Sequence, residues 1–269
     1  MNALAHQRQN LDQQKQQPMR LQFKDKDSHE LRQDSPAVSD SALCDLLSPM
    51  MTPASFTTEY WCRKPLFIKG YPEKLQKLFP GGFERKDFYR VVREAAVKKV
   101  KGFQLWARKH QGLLPTVDGQ SRPYVFIEPD QMEWMLALGA NVAASNISDQ
   151  RVATFAATLK AQLNHPGEVK VKATLSPQGN GWPPHLGAGS VFSIQCEGRK
   201  RFVVSPEPVA TWPRETTFFS EDGTPTSDSQ EIELSQGIQR INMDSLIEVV
   251  WNRAISSSIR LELYMRLRP

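Results

Sequence analysis

From Ile259 to Arg268 apolar and polar side chains alternate without a break: Ile259, Leu261, Leu263, Met265 and Leu267 against Arg260, Glu262, Tyr264, Arg266 and Arg268. A period of two is the geometry of a β-strand, in which successive side chains leave opposite faces. The segment therefore commits the end of the chain to a sheet with one apolar face, and predicts a half-buried strand whose charged face meets water. Upstream, Glu168–Leu175 alternates with Val169, Val171 and Ala173 on one side, and Ile232–Leu234 and Leu246–Trp251 are strand-like. Val191–Cys196 and Arg201–Val204 flank Glu197-Gly198-Arg199-Lys200, which predicts a hairpin.

The first half reads differently. Ser39-Asp40-Ser41 is an N-cap cluster ahead of a short helix over Ala42–Leu47, and Pro53–Trp61 reads as a second one. Lys64–Gly70 predicts a strand opened by Pro65 and closed by Gly70. Phe88, Val91, Val92, Ala95, Ala96 and Val100 recur at helical spacing, so Phe83–Lys101 is an amphipathic helix. Phe103–Arg108 and Tyr124–Ile127 look like strands. Pro129-Asp130 with Glu133 predicts a capped helix through Leu138, ended by Gly139, and Asp149–Leu163 predicts another, stopped by His165-Pro166-Gly167. Asn141–Ile147 is short and mixed. Helices early and strands late give an α+β class.

Residues 1–40 hold eight Gln, six basic and six acidic residues and few large apolar ones. Such a segment buries too little surface to offset its ordering entropy, so the expected organisation is a disordered polar tail over 1–40 and one domain over 41–269. No apolar run approaches the roughly 18 residues that span a bilayer, and the N-terminus lacks a signal-peptide core, so a cytoplasmic protein with no membrane partner is expected. Cys44, Cys62 and Cys196 are widely spaced with no CxxC pair, which argues against a disulfide framework or structural zinc. The net charge of +5 belongs to residues 41–269, with Arg85, Lys86, Arg90, Arg93, Lys98, Lys99, Lys101, Arg108 and Lys109 facing only Glu84, Asp87 and Glu94. A basic stripe of this kind fits an acidic partner or, more often, a solvated helix face.

One segment stands out chemically. In Leu175–Phe202, His185 is followed by Val191-Phe192, Gln195, Gly198, Lys200 and Phe202. This spacing resembles the metal-binding core of the JmjC/cupin-like (cupin-4 group) Fe(II)/2-oxoglutarate oxygenases, the group that includes bacterial ribosomal-protein hydroxylases. Two upstream stretches are similar as well. Phe56, Tyr60-Trp61, Lys64-Pro65-Leu66-Phe67-Ile68 and Gly70 look like the family's entry motif, and Leu136–Ile147 like its connector. The resemblance covers roughly residues 42–267. It implies a double-stranded β-helix (a cupin or jelly-roll barrel) with flanking N-terminal helices. It also implies Fe(II) held by two His and a carboxylate, and 2-oxoglutarate bound beside the metal. His185 matches the first metal ligand, and Lys200 occupies a position that binds the distal 2-oxoglutarate carboxylate in some relatives.

The departures from that pattern are large. The acid two residues after the first His is Gly187, which has no donor. The late strand that should carry the second His is matched best by Met243–Ala254, which puts Asn252 there, and no histidine follows His185 anywhere. Asp244 and Glu248 are the substitute donors nearby. Of the remaining histidines, His6 and His29 lie in the tail, and His110 and His165 precede the expected barrel core. The pattern points to a catalytically degenerate member that acts by binding, with Fe(II) and 2-oxoglutarate as cofactors if it is active and none otherwise. An active 2-oxoglutarate-dependent protein or peptide hydroxylase with an unconventional metal site is the first alternative. A basic interaction domain using the 85–109 helix is the second. A protein or peptide partner is expected before nucleic acid, because no nucleic-acid motif accompanies the basic stripe. Ribosomal-oxygenase relatives continue into a dimerisation region and a winged-helix-like domain. With Pro269 just after the last strand, neither is expected here, and the sequence names no oligomeric state.

Overall fold

The computed structural model describes residues 42–109, 112–116, 118–186, 189–204, 217–218, 230–236, 239–242, 250–254 and 256–266. The expected tail, residues 1–40, lies outside them. Four helices lead the chain: α1 (Ala42–Leu47), α2 (Pro53–Glu59), α3 (Pro72–Leu78) and α4 (Arg85–Val97), with the short strand β1 (Leu66–Ile68) between α2 and α3. Next come β2 (Gln104–Arg108), the small hairpin β3 (Leu114–Pro115) and β4 (Ser121–Arg122), β5 (Tyr124–Phe126), α5 (Met132–Ala137), β6 (Asn141–Ser145) and α6 (Gln150–Gln162). The remainder is all strand: β7 (Glu168–Ser176), β8 (Gly181–Leu186), β9 (Ser190–Glu197), β10 (Lys200–Val204), β11 (Thr217–Phe218), β12 (Gln230–Leu234), β13 (Gln239–Asn242), β14 (Val250–Ala254) and β15 (Ser258–Arg266). The α+β class holds. Helix α3 carries no sequence signal beyond Pro72 at its start, and Asn141–Ser145 is a strand because both its faces are covered.

Two antiparallel sheets result, an eight-stranded one in the order β1-β13-β9-β15-β7-β6-β2-β5 and a five-stranded one in the order β11-β8-β14-β10-β12. The expected hairpin across Gly198 does not form. β9 pairs with β13 and β15 in the large sheet, whereas β10 pairs with β12 and β14 in the small one. The turn instead carries the chain from one sheet to the other. Gly198 sits there at φ +72°, and a Cβ would run into the Ser257 carbonyl oxygen, so only glycine lets the two backbones approach this closely.

The helices cover the outer face of the large sheet. Ile259, Leu261, Leu263 and Met265 are fully buried in one cluster with Leu46 and Leu47 of α1, Phe88 and Val91 of α4, and Phe155 and Leu159 of α6. Each such side chain contributes about 1.5–3 kcal/mol of burial. The entry motif serves this packing: Trp61 stacks on Phe192 with ring centroids 5.8 Å apart, and Phe56 lies 6.5 Å from the same ring. The opposite face of β15 departs from expectation. Arg260 and Glu262 are 3% and 5% exposed, not solvated, because the small sheet lies over them. Arg260 sits 5.1 Å from the Phe202 ring of β10, and Lys200 of β10 donates to Ser176 of β7 at 2.9 Å. A period-two pattern reports that two faces differ; it does not report which face meets water.

A second polar knot ties the helices together. Asp149 caps α6 by accepting from the Arg151 and Val152 amides, and its carboxylate meets Arg90 of α4 at 2.6 Å and Arg151 at 2.8 Å. Arg151 also reaches Asp87 of α4 at 2.9 Å. At the next helix start the capping box is Glu128 with Gln131, rather than one built on Glu133. Burial works to raise the Asp149 and Asp87 pKa values. For Asp149 the Arg151 and Arg90 hydrogen bonds outweigh it, and for Asp87 the Glu84 amide and both arginines do, so both carboxyls fall below the ordinary 3.8. Depressed carboxylates stabilise the fold above their unfolded pKa and lose that contribution as pH falls through the native one. Asp149→Ala should therefore cost about 2–4 kcal/mol near neutral pH, the sum of a lost cap and a broken, nearly buried ion pair. Urea unfolding should show the gap between wild type and variant closing below about pH 4; a gap independent of pH would contradict the assignment.

Candidate functional site

The facing surfaces of the two sheets hold the concentrated chemistry of the molecule. On the large sheet the registers place polar residues in rows: Ser176 beside Ser258, then Thr174 and Gln195 on either side of Arg260, then Lys172 and Ser193 on either side of Glu262. Their neighbours in sequence point the other way, into the helix-covered core. Glu262 anchors the rows. Its carboxylate meets Arg260 at 2.8 Å and Lys172 at 3.2 Å, and accepts a hydrogen bond from the Tyr264 hydroxyl at 3.1 Å. Lys172 is also enclosed by aromatic rings, 4.9 Å from Trp182, 5.2 Å from Trp106 and 5.5 Å from Tyr264. Trp106 and Trp182 meet edge to face at 4.8 Å and join the sheets at this level.

The electrostatics divide the lysines. Burial would raise the Glu262 pKa, but the Arg260 and Lys172 charges beside it bring it down to about 2. Burial would lower that of Lys172, but Glu262 raises it. Lys200 has no such relief. Burial first, then the Arg260 charge, push its pKa well below 10.5, with Glu262 only partly opposing. Its amine donates to the Ser176 hydroxyl rather than to a carboxylate. On the same facing surfaces, Thr174 Oγ1, Gln195 Oε1, Ser258 Oγ, Trp182 Nε1 and Arg260 Nε are buried without a hydrogen-bond partner. Buried polar atoms are seldom left unpaired, and most of these are donors. The site is therefore cationic, donor-rich and incompletely satisfied, which suits a carboxylate.

His185 lies elsewhere. It sits on β8 in register with Val250 of β14, whose β10 partner is Val204; Lys200 pairs with Ala254 four residues further along β14. At about 3.3 Å per residue the two rows are about 13 Å apart along the strands. The structure thus does not bring His185 and Lys200 into contact. Asn252 takes its backbone place on β14 between Trp182 and Phe202, whereas Gly187, Asp244 and Glu248 lie outside the described residues. His165 is buried on the helix side, edge to face with Trp61 at 6.4 Å. Among the described residues no three His, Cys, Asp or Glu side chains gather as a metal site. One imidazole with a glycine at the acid position is a poor donor set for Fe(II), which binds weakly among the divalent metals and needs several ligands. Among the described residues the donors fall short of an iron site, whereas the unpaired polar atoms on the facing sheet surfaces have the polarity that a carboxylate calls for.

Part of the basic stripe is paired, much of it at the surface. Arg90 is held by Asp87, Glu94 and Asp149, Lys86 by Glu84, Lys98 by Glu94, and Arg85 donates to Ser257; Arg108 is buried. Sequence reasoning missed the ion-paired face of β15 and the role of Lys172. The signal was there, since Lys170, Lys172 and Thr174 occupy the same face of a strand, but it reads equally well as solvent-facing.

The fold is shared with E. coli YcfD. Its X-ray structure superposes at a TM-score of 0.54 with 15% identity, over 81% of this chain and 54% of that one. A structure described as the ribosomal oxygenase YcfD with cobalt and 2-oxoglutarate gives 0.52 at 14% identity, over 82% and 53%. One with cobalt and succinic acid gives 0.51 at 16% identity, over 82% and 52%. The chain thus spans about half the length of YcfD. No protein-family model and no curated protein sequence matches it, so the likeness is one of fold.

The two lysines and Glu262 make opposite predictions for stability. Glu262→Gln leaves Lys172 and Arg260 as uncompensated buried charges and should cost about 3–5 kcal/mol. Lys200→Met replaces a poorly paired amine by an apolar chain of similar length and should be neutral or stabilising. Thermal unfolding of the two variants checks both; equal destabilisation would contradict the division.

Proposed function

We propose that this chain is a JmjC/cupin-like domain, a double-stranded β-helix with flanking helices, that has lost its oxygenase site and acts by binding. The strand orders support that architecture. β13-β9-β15-β7 in one sheet faces β8-β14-β10-β12 in the other, and from β7 onward the chain changes sheet at each step except across β10, β11 and β12, which share the small one. The observation that carries the functional reading is the ligand supply. By the sequence resemblance His185 matches the family's first ligand, Gly187 stands in place of the acid, and Asn252 matches the second His. In this reading the intersheet site takes a dicarboxylate of the 2-oxoglutarate class, with Lys200 and Arg260 on one carboxylate and the Thr174 and Ser258 hydroxyls as further donors. Occupancy then stabilises the fold as a platform for a protein or peptide partner, since a ligand that binds only the native state adds to its stability. A cytoplasmic setting and the absence of a membrane partner belong to the same proposal; no helix among the described residues is long and apolar enough to cross a membrane.

The alternative is an active 2-oxoglutarate-dependent protein or peptide hydroxylase with an unconventional metal site, favoured by the cobalt and 2-oxoglutarate present in the YcfD structures. One experiment separates the two. Purified protein should contain far less than one iron per chain, and calorimetry should detect 2-oxoglutarate binding that Fe(II) does not strengthen. Lys200→Met should weaken it about tenfold or more, the worth of a charge-assisted hydrogen bond. Stoichiometric iron together with succinate release, both lost in His185→Ala, would establish the hydroxylase instead. A proton inventory adds a further check. Burial and the Arg260 charge favour the neutral amine of Lys200 at pH values below its ordinary 10.5, and an anion bound beside it favours the protonated form. Binding should take up a proton there, seen as an enthalpy that depends on the buffer.

A further inference from the structure

Among the described residues the large sheet ends at β5, which pairs there with β2 alone, and this edge forms the floor of a groove of about 610 Å³. That volume is within the roughly 300–1,000 Å³ of ligand sites. One wall is the β3–β4 hairpin, through Pro115, Thr116 and Arg122; the other is α5, through Trp134. The Ile127 amide donates to the Leu105 carbonyl of β2, so by the alternation of an antiparallel ladder the Val125 groups also face β2. The amides and carbonyls of Tyr124 and Phe126 then face the groove. Their side chains are open too, at 50% and 65% exposure, with Trp134 at 50%. Natural sheets commonly blunt a free edge with charge or cover it, and three large exposed aromatics do neither.

The charge around the groove selects the occupant. The charged lining of the groove is Asp118 with Arg122, which pair at 2.7 Å. Beside it, the exposed acids Glu128 and Asp130 lie between the lining residues Ile127 and Gln131 in sequence, in a chain whose net charge is +5. A second copy of this chain is a poor candidate, because a twofold contact would bring the same concave surface and the same flanking acids against themselves. We infer that the groove binds an extended, cationic peptide segment of a partner protein, added to β5 as a further strand. Main-chain hydrogen bonds to Tyr124 and Phe126 would supply affinity, the aromatic walls would take its apolar side chains, and Glu128 and Asp130 would select for its basic ones. This site uses no residue of the intersheet cluster, so it stands or falls independently of carboxylate binding there.

The test is calorimetric titration of the full chain with an alternating Arg-Val octapeptide, with an alternating Glu-Val octapeptide as control. The Arg-Val peptide should bind at least about tenfold more tightly. Phe126→Pro deletes a groove-facing amide without touching the β2 ladder and should lose binding about tenfold or more, while Phe126→Ala, which keeps the amide, should lose less. The exposed double variant Glu128→Gln/Asp130→Lys, which retains a side-chain acceptor at the helix cap, should erase the preference between the two peptides. It keeps the test sound if the proline variant unfolds in circular dichroism. Equal binding of both peptides, or unchanged affinity in Phe126→Pro and in the double variant, would overturn the inference. So would a concentration-dependent dimer by light scattering that Phe126→Ala abolishes, which would make the occupant a second copy.

Discussion

The carboxylate of Glu262, buried between Arg260 and Lys172, is the constraint on which the two-sheet arrangement rests. Three charged groups cannot leave water unless they meet with good geometry, and each then fixes the strand that carries it. Arg260 and Glu262 share β15, Lys172 comes from β7, and the rings that enclose Lys172 come from β2, β8 and β15. The ion pair therefore sets the register of the large sheet and the seat of the small one at the same time. An apolar filling of equal volume would be at least as stable, but would discriminate less between registers, since a slip of one residue on β15 would drive Arg260 and Glu262 into the helix-covered core.

This satisfied core throws the unsatisfied one into relief. A few ångströms along the strands, Lys200, Arg260 and a set of unpaired donors have no carboxylate between them other than Glu262, which is already engaged. Stability alone does not favour such an arrangement, and groups of this kind are concentrated at functional sites. The same contrast applies to the histidine position. The fold shared with a ribosomal oxygenase rests here on apolar packing; the entry motif residues Phe56, Trp61, Leu66 and Ile68 are all spent on core contacts with the large sheet. Packing of this kind holds an architecture whatever chemistry its site carries.

The helices hold the sheet by a different means. Asp87, Asp149, Arg90 and Arg151 join α4 to α6 on the rim, leaving the apolar faces of both helices to the sheet. This takes Arg90 out of a stripe that reads as a nucleic-acid or acidic-partner surface. Arginines spaced along one helix look available until a second helix brings its acids, and Asp149 lies 59 residues from Arg90 in sequence. Conversely, the acidic, aromatic edge at β5 is invisible as a patch in the sequence, because its acids belong to a hairpin, a loop and a helix start that meet only in the fold.

The sequence by itself determined the α+β class, the positions of most helices and strands, and the histidine deficit, since local periodicity and residue supply need no knowledge of the rest of the chain. It also marked Lys200 and His185 as the residues of interest through their spacing. Tertiary structure alone decided that Gly198 turns between sheets rather than within one, and that the polar face of Ile259–Arg266 is an interior. It likewise separated Lys200 from the row of His185. The reason is common to all three: alternation and spacing describe one strand at a time, whereas burial depends on which second sheet is laid across it.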